Sequence, residues 1–110
     1  MAARVYVLHR LREGVTPADY ERWVREVDYP FSSRFPAIRS YEVVRLEERL
    51  MSDETGTPWD YLELIEPVEF DAYFSALTGP GAADFVEEWS SFVADYVVLR
   101  AETIDADLAS

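Results

Sequence analysis

The segment from residue 59 to residue 65 reads WDYLELI, a run of aromatic and aliphatic side chains that predicts a β-strand. Successive side chains of a strand point to opposite faces of its sheet, so Tyr61 and Glu63 share one face, while Asp60 and Leu62 share the other. Both faces of this strand therefore carry apolar side chains. Either face could be the one that meets the helices.

Three other segments predict strands of the same sheet. Residues 4–9 read RVYVLH, a β-branched and aromatic run, and residues 96–101 form the last strand. Residues 38–46 alternate, with Tyr41 and every second residue after it on one face. A polar loop over residues 52–58 joins this strand to the WDYLELI strand, which predicts an antiparallel pair.

The first helix begins at Pro17, with Thr16 before it as the N-cap residue. Its apolar side chains recur at intervals of three and four residues, at Tyr20, Trp23, Val24 and Val27. Pro30 disfavours helical dihedral angles at Tyr29. The segment Asp28-Tyr29-Pro30 is therefore predicted to end or kink this helix.

Two more helical segments occupy the second half of the chain. Pro67 is predicted to start a helix with an apolar stripe at Phe70, Tyr73, Phe74 and Leu77. After the TGPG segment at residues 78–81, a further helix carries an apolar side made of Ala82, Phe85, Val86, Trp89, Phe92 and Val93. The predicted order is β-α-β-β-α(α)-β.

This order predicts an α+β, ferredoxin-like βαββαβ domain with an antiparallel four-stranded sheet and its helices on one face. The other face also carries apolar side chains and needs a cover, which a second copy of the chain would supply. We therefore expect a homodimer that forms a dimeric α/β barrel. Residues 1–104 are expected to be the single domain, and residues 105–110 a flexible tail.

Composition narrows the classes of function. The formal charge is −12, from 22 acidic and 10 basic residues, which disfavours nucleic acids and anionic membrane surfaces as partners. The chain has no cysteine, so thiolate chemistry and disulfides are excluded. No apolar run approaches the roughly 18 residues that span a membrane, and no signal segment precedes the first strand. We expect a cytoplasmic protein.

Three segments together resemble the REDY-like family: YERWVREVDYP at residues 20–30, WDYLELIE at residues 59–66 and EEWSSFV at residues 87–93. The resemblance implies a dimeric α/β barrel and a role in bacterial secondary metabolism. Relatives of this kind act in pathways to prodiginine pigments and bisindole compounds, where they are thought to steer a reactive intermediate without a cofactor. Fold and family leave the individual pathway open.

His9 and Asp28 are candidates for catalysis. His9 is the only histidine, and an imidazole is the side chain that ordinarily titrates near neutral pH. The alternative is a hydrogen-bonded structural histidine at a strand end. A carboxylate at the predicted C-terminal end of a helix, as at Asp28, opposes the helix dipole, so a tertiary hydrogen bond, a subunit contact or a substrate should hold it. The alternative is an Asx-type turn before Pro30.

Asp60 and Glu63 are the other catalytic candidates, because a charged side chain in the middle of a buried strand must be paired or face a cavity. Glu63 is either a base with a raised pKa or the partner of Arg45 across the hairpin. No cluster of histidines, glycine-rich phosphate loop or metal-ligand motif is present in the sequence, so no metal and no cofactor are predicted.

Aromatic side chains on the helices are candidates for substrate binding, since flat walls suit a planar ligand. They are Tyr20, Trp23, Phe74, Phe85 and Trp89. Tyr29 and Tyr61 would donate hydrogen bonds to a developing anion. The alternative for the whole set is ordinary core packing.

The function predicted from these residues is a cofactor-independent enzyme acting on an aromatic, bisindole- or pyrrole-type intermediate. The reaction would be a cyclisation or rearrangement assisted by proton transfer, with His9 as the leading acid or base. Two alternatives stay open. One is a non-catalytic protein that binds or shields the intermediate for a pathway enzyme, and the other is a cofactor-free monooxygenase on the same fold.

Overall fold

The computed structural model describes residues 3–104, so the predicted tail at 105–110 lies outside the described residues. The elements are β1 (Arg4–Leu11), α1 (Pro17–Trp23), a π-helical segment (Val24–Asp28), α2 (Tyr29–Arg34), β2 (Ile38–Arg45), β3 (Tyr61–Pro67), α3 (Phe70–Leu77), α4 (Ala83–Phe92) and β4 (Val93–Ala101). The strands form one antiparallel sheet in the order β2-β3-β1-β4. This confirms the predicted ferredoxin-like architecture.

The strand register decides which side chains point toward the helices. Glu63 of β3 lies opposite Val43 of β2 on one side and Val7 of β1 on the other. Val7 and its neighbours at every second position, Val5 and His9, are buried. Glu63 and Tyr61 therefore face the helices, which settles the choice that the sequence left open.

The opposite face of the sheet has no helix against it within residues 3–104. Its alternating positions are mostly apolar: Tyr6, Leu8, Val44, Leu62, Leu64, Val97 and Leu99. Leu99 keeps 44% of its surface exposed. The apolar character of both faces is thus as the sequence indicates, while the barrel formed with a second copy stays a prediction.

The first helical region differs from the prediction at its end. Thr16 caps α1 as expected, and its hydroxyl accepts a hydrogen bond from the Asp19 amide at 3.1 Å. Of the two predicted outcomes, an end or a kink of the helix at Asp28-Tyr29-Pro30, the end is wrong, because the chain passes through the π-helical segment directly into α2. Pro30 lies in the first turn of α2, directly after the π-helical segment.

Three boundaries in the second half also differ from the prediction, one of them because β4 begins at Val93, which the prediction placed on the last helix. Pro67 ends β3 and does not begin the next helix, which is capped instead by Glu69. The Glu69 carboxylate accepts a hydrogen bond from the Ala72 amide at 2.6 Å. Asp60 precedes β3 and is not inside the strand. None of these shifts changes the order of the elements.

Candidate functional site

A cavity of about 230 Å³ lies between the sheet and the helices. Its walls are mainly aromatic and include Phe31, Phe35, Tyr73, Phe74, Phe85 and Trp89. Its polar lining includes Glu63, Tyr41 and Ser32. The exposed side chains of Tyr96 and Val98 also line it, so the cavity reaches the surface beside β4.

Glu63 is the acidic group of this cavity. Its side chain is only 8% exposed, because the even alternation of β3 turns it toward the helices. Its Oε1 atom lies 3.0 Å from the Tyr41 hydroxyl. Burial, followed by the nearby charge of Asp28, raises the pKa of Glu63 to about 8. The carboxyl is therefore largely protonated at neutral pH.

Asp28 contacts the same Tyr41 hydroxyl as Glu63. The Tyr41 hydroxyl lies 2.7 Å from Asp28 Oδ2, and the Ser32 hydroxyl donates to Oδ1 at 3.3 Å. Asp28 and Ser32 are four residues apart on the continuous helical path, which brings them to one side. Burial raises the pKa of Asp28 to about 6. A tertiary hydrogen bond thus holds this carboxylate, and the Asx-turn alternative is wrong.

His9 lies beside Glu63 and does not line the cavity. Its ring is fully buried, with Nε2 2.8 Å from the Tyr20 hydroxyl, and it stacks on Tyr61 with ring centres 5.7 Å apart. Burial lowers the pKa of His9 to about 4, so the ring is neutral at pH 7. The geometry places His9 where it can position Glu63, with no surface on the cavity.

Three buried polar atoms at this end of the cavity have no hydrogen-bond partner among residues 3–104. They are His9 Nδ1, Glu63 Oε2 and Trp89 Nε1. His9 Nδ1 and Glu63 Oε2 are 3.4 Å apart without the alignment of a hydrogen bond. Unpartnered buried polar atoms are uncommon in folded proteins. Of the three residues that carry them, Glu63 and Trp89 line the cavity and His9 does not.

Asp60 and Tyr61 contribute to the opposite end of the sheet. The Asp60 carboxylate accepts a hydrogen bond from the Leu11 amide at 2.9 Å and joins the start of β3 to the end of β1. The Tyr61 hydroxyl donates to Glu21 at 2.7 Å. Neither residue lines the aromatic cavity.

Of the two alternatives for Glu63, the one that pairs it with Arg45 is wrong. Arg45 lies opposite Tyr61 in the register and binds Glu21 with two of its nitrogen atoms, at 2.6 and 2.7 Å. Tyr29 was expected to donate a hydrogen bond to a substrate anion. Its hydroxyl instead accepts a hydrogen bond from the Val43 amide of β2 at 3.1 Å.

Four of the predicted site residues line the cavity: Glu63, Phe74, Phe85 and Trp89. Tyr20 and Trp23 pack in a buried cluster against Tyr61, so for them the core-packing alternative describes their contacts. Sequence reasoning missed Tyr41 and Ser32 as members of the site. The alternation of residues 38–46 had already placed Tyr41 on one face, and a diagonal neighbour across the strands is close enough for a long side chain to reach Glu63.

The structure gives two negative findings about residues 3–104. No group of three or more His, Asp or Glu side chains in that part of the chain could hold a metal ion. No helix in it is long and apolar enough to cross a membrane.

The model of the family described as REDY-like protein HapK matches residues 3–104, almost the whole chain. The chain belongs to this REDY-like family. The family predicted from the three sequence segments is thereby confirmed. No curated protein sequence matches the chain.

Solved structures share the fold of this chain. HapK from Hahella chejuensis is 21% identical, with a TM-score of 0.68 and 94% of each chain covered. A dimeric ferredoxin-like protein of unknown function from Thermobifida fusca is 17% identical, with a TM-score of 0.66 over 94% of this chain and 92% of that one. A hydroxynitrile lyase from Passiflora edulis is 13% identical, with a TM-score of 0.70 and 94% of each chain covered.

Proposed function

We propose that the protein is a cofactor-independent enzyme of bacterial secondary metabolism that acts on an aromatic, bisindole- or pyrrole-type intermediate. Glu63 would supply the proton for a cyclisation or rearrangement. The observation that carries this proposal is the placement of Glu63 in the wall of an aromatic cavity, with Oε2 buried and free of any hydrogen-bond partner among the described residues.

The pKa of Glu63 suits the task. An acid with a pKa of about 8 holds its proton at neutral pH and still releases it to a substrate of similar basicity. Transfer from Glu63 breaks its O–H bond and forms a bond from hydrogen to a substrate atom. The carboxylate can then remove a proton from a neighbouring position, so the cyclisation or rearrangement needs no oxidant.

The other predicted catalytic residues take different roles in this proposal. His9 and Tyr20 form a buried hydrogen-bonded pair that fixes the surroundings of Glu63, so His9 is a positioning residue. Asp28 acts on Glu63 through the Tyr41 hydroxyl, which contacts both carboxyl groups. Asp60 binds the Leu11 amide and takes no part in proton transfer.

The cavity favours a compact substrate. Its volume of about 230 Å³ is below the roughly 300–1,000 Å³ typical of pockets for drug-sized ligands. The walls of Phe74, Phe85 and Trp89 suit one planar ring system. A bisindole-type substrate would place one ring system here and extend the rest past Tyr96 toward the surface.

We propose a cytoplasmic homodimer as the working form. The apolar outer face of the sheet, with Leu99 exposed, supports a second copy as its cover. The dimeric state given for the Thermobifida fusca protein of the same fold supports it as well. Sedimentation at micromolar concentration tests it, and a stable folded monomer would contradict it.

The enzyme proposal is tested by deleting the gene and complementing the strain with wild type, Glu63→Gln or Glu66→Gln. Glu66 lies on the same strand but points to the outer face, where it bonds to Ser40, so it is a matched control. We expect Glu63→Gln to accumulate the same precursor as the deletion, while Glu66→Gln restores the product. Mass spectrometry of the metabolites is the readout.

The accumulated precursor, once isolated, separates the alternatives in a reaction with purified protein. Conversion without oxygen uptake supports the proposal, whereas stoichiometric oxygen uptake would indicate the monooxygenase. Binding without conversion would indicate the shielding protein. Full product formation by folded Glu63→Gln would refute the acid role of Glu63.

A further inference from the structure

The Tyr41 hydroxyl lies within hydrogen-bond distance of two carboxyl groups. It is 2.7 Å from Asp28 Oδ2 and 3.0 Å from Glu63 Oε1. A hydroxyl has one proton and can donate it to only one of these oxygens. The remaining contact brings two oxygen atoms together and requires a proton on the carboxyl. The two carboxyls therefore share one proton and carry one negative charge.

The hydrogen bonds locate this charge on Asp28. Both of its oxygens have a hydroxyl partner, Ser32 at Oδ1 and Tyr41 at Oδ2, and donors of this kind favour the ionised form. Glu63 then donates its own proton to Tyr41. The pKa values agree with a proton on Glu63 and a charge on Asp28, since burial raises the pKa of Glu63 to about 8 and that of Asp28 only to about 6.

No cation among the described residues neutralises this buried charge. All ten basic residues are arginines, and none of those in residues 3–104 lines the cavity or pairs with Asp28 or Glu63. The groups that face Glu63 and Asp28 from the other elements are His9 of β1, Tyr20 of α1 and Tyr73 of α3, and all three are neutral at pH 7. A buried charge without a partner is costly, so a cationic ligand would be stabilised here.

The walls of the cavity suit the same kind of ligand. The faces of aromatic rings carry negative charge and attract cations, and aromatic cages bind organic cations in many proteins. Phe74, Phe85 and Trp89 supply aromatic rings to the cavity that Glu63 also lines. Glu63 is the one acidic residue among the described residues that line the cavity, so its carboxyl is the group that an N–H of the ligand would contact.

We propose that this cavity selects an aromatic compound with a basic nitrogen, held as a cation beside Glu63, over neutral and anionic compounds of the same shape. The inference deepens the proposed function and rests on it for the cavity being the substrate site. With an uncharged imine, the proton of Glu63 moves to the nitrogen lone pair. An O–H bond breaks, an N–H bond forms, and a carboxylate beside a cation results.

Benzamidine, benzamide and benzoate test the inference, because they have nearly the same shape and differ in charge. Calorimetry at pH 7 and physiological salt should show benzamidinium binding at least tenfold more tightly than benzamide, with no measurable binding of benzoate. Binding of benzamidinium should also release protons from Glu63, seen as a dependence of the heat on the ionisation enthalpy of the buffer. Equal affinities for benzamidinium and benzamide would overturn the inference.

Isosteric variants show whether the two carboxyls cause the preference. The double variant Asp28→Asn/Glu63→Gln should lose it, whereas Glu66→Gln should keep it. A preference that survives in the double variant would reflect the acidic surface of the chain and would refute the site. Should circular dichroism show that the double variant does not fold, Glu63→Gln alone decides, because proton release on binding must disappear.

Benzamidine undergoes no reaction, so this test is independent of turnover. No preference for benzamidinium, together with loss of product in Glu63→Gln, would refute the cation site and leave the acid role in place. A clear preference for benzamidinium, together with full product formation by Glu63→Gln, would support the cation site and refute the acid role of Glu63.

Discussion

Two glutamates of this protein, Glu63 and Glu21, each contact a different tyrosine hydroxyl on the helix-facing side of the sheet. The pKa of Glu63 nevertheless lies above the ordinary pKa of a glutamate side chain, and the pKa of Glu21 lies below it. The Tyr41 hydroxyl lies 3.0 Å from Glu63 Oε1, and the Tyr61 hydroxyl donates to Glu21 at 2.7 Å. Burial raises the pKa of Glu63 to about 8. Hydrogen bonds from Arg45, then from Tyr61, lower the pKa of Glu21 to about 2.

The difference shows that the phenol does not decide the charge of the carboxyl. Glu21 has a guanidinium in a two-nitrogen contact and a partly exposed position, and both favour the ionised form. Glu63 has a neutral imidazole, a second carboxyl within reach of the same phenol and little exposure. The first arrangement joins a helix to the sheet, and the second leaves a proton available next to a cavity.

The largest effect should separate the two glutamates by activity. Glu63→Gln keeps the shape but removes the transferable proton, and turnover should fall by at least about 100-fold, the usual scale of acid–base catalysis. Glu21→Gln should stay within about twofold. Steady-state kinetics on the isolated precursor measures both, and a similar loss in the two variants would mean that the effect is structural.

Removal of each phenol should separate the two sites by stability. Tyr41→Phe leaves buried Asp28 and Glu63 without their shared partner, and the free energy of unfolding should fall by about 1–3 kcal/mol. Tyr61→Phe should cost about 1 kcal/mol or less, because Glu21 keeps Arg45. Urea denaturation of both variants gives the comparison, which the reverse order would contradict.

The pH dependence of stability should reveal the raised pKa of Glu63. Between pH 6.5 and 8 the folded protein holds the Glu63 proton and the unfolded chain, with a pKa near 4.5, does not. Stability should therefore fall as the pH rises through this window, by up to about 1.4 kcal/mol per pH unit. His9 offsets part of this fall near pH 6.5, because the unfolded histidine with a pKa of 6.5 still binds protons there and the folded ring with a pKa of about 4 does not. The fall caused by Glu63 is therefore clearest toward pH 8, where His9 is neutral in both states.

Glu63→Gln provides the control for this pH dependence. The fall in stability above pH 6.5 should disappear in that variant and persist in Glu21→Gln. A wild-type stability that stays level or rises from pH 6.5 to 8 would show that Glu63 is ionised in the folded protein.

The smallest effect concerns Arg45. Arg45→Gln removes the cation from Glu21, so the pKa of Glu21 should rise from about 2 toward its ordinary 4.5. The pKa of Glu63 should not move, since Arg45 does not contact it. Carbon-detected NMR titration of the two side chains measures this, and a shift at Glu63 would show that the two sites are coupled.

Much of the fold was predictable because it depends on local patterns. The period-two alternation of the strands and the apolar spacing of the helices gave the element order, which the structure confirms. The Thr16 cap was predictable for the same reason. The course of the first helix was not, because the sequence does not show that a π-helical segment before Pro30 carries the chain directly into α2.

The candidate site was predictable only in part. Glu63, Phe74, Phe85 and Trp89 followed from a charge or an aromatic ring on a face expected to be buried. Tyr41, which links Asp28 to Glu63, was missed because the link joins three elements far apart in the chain.

The sequence by itself determined the elements, their order, the antiparallel pairing of β2 with β3 and the family of this protein, since these depend on neighbouring residues and short motifs. Only the tertiary structure decided that Glu63 faces the helices with Tyr41 and that Arg45 goes to Glu21. The physical reason is that the charge of a carboxyl depends on its burial and on partners that the register and the helix packing bring to it.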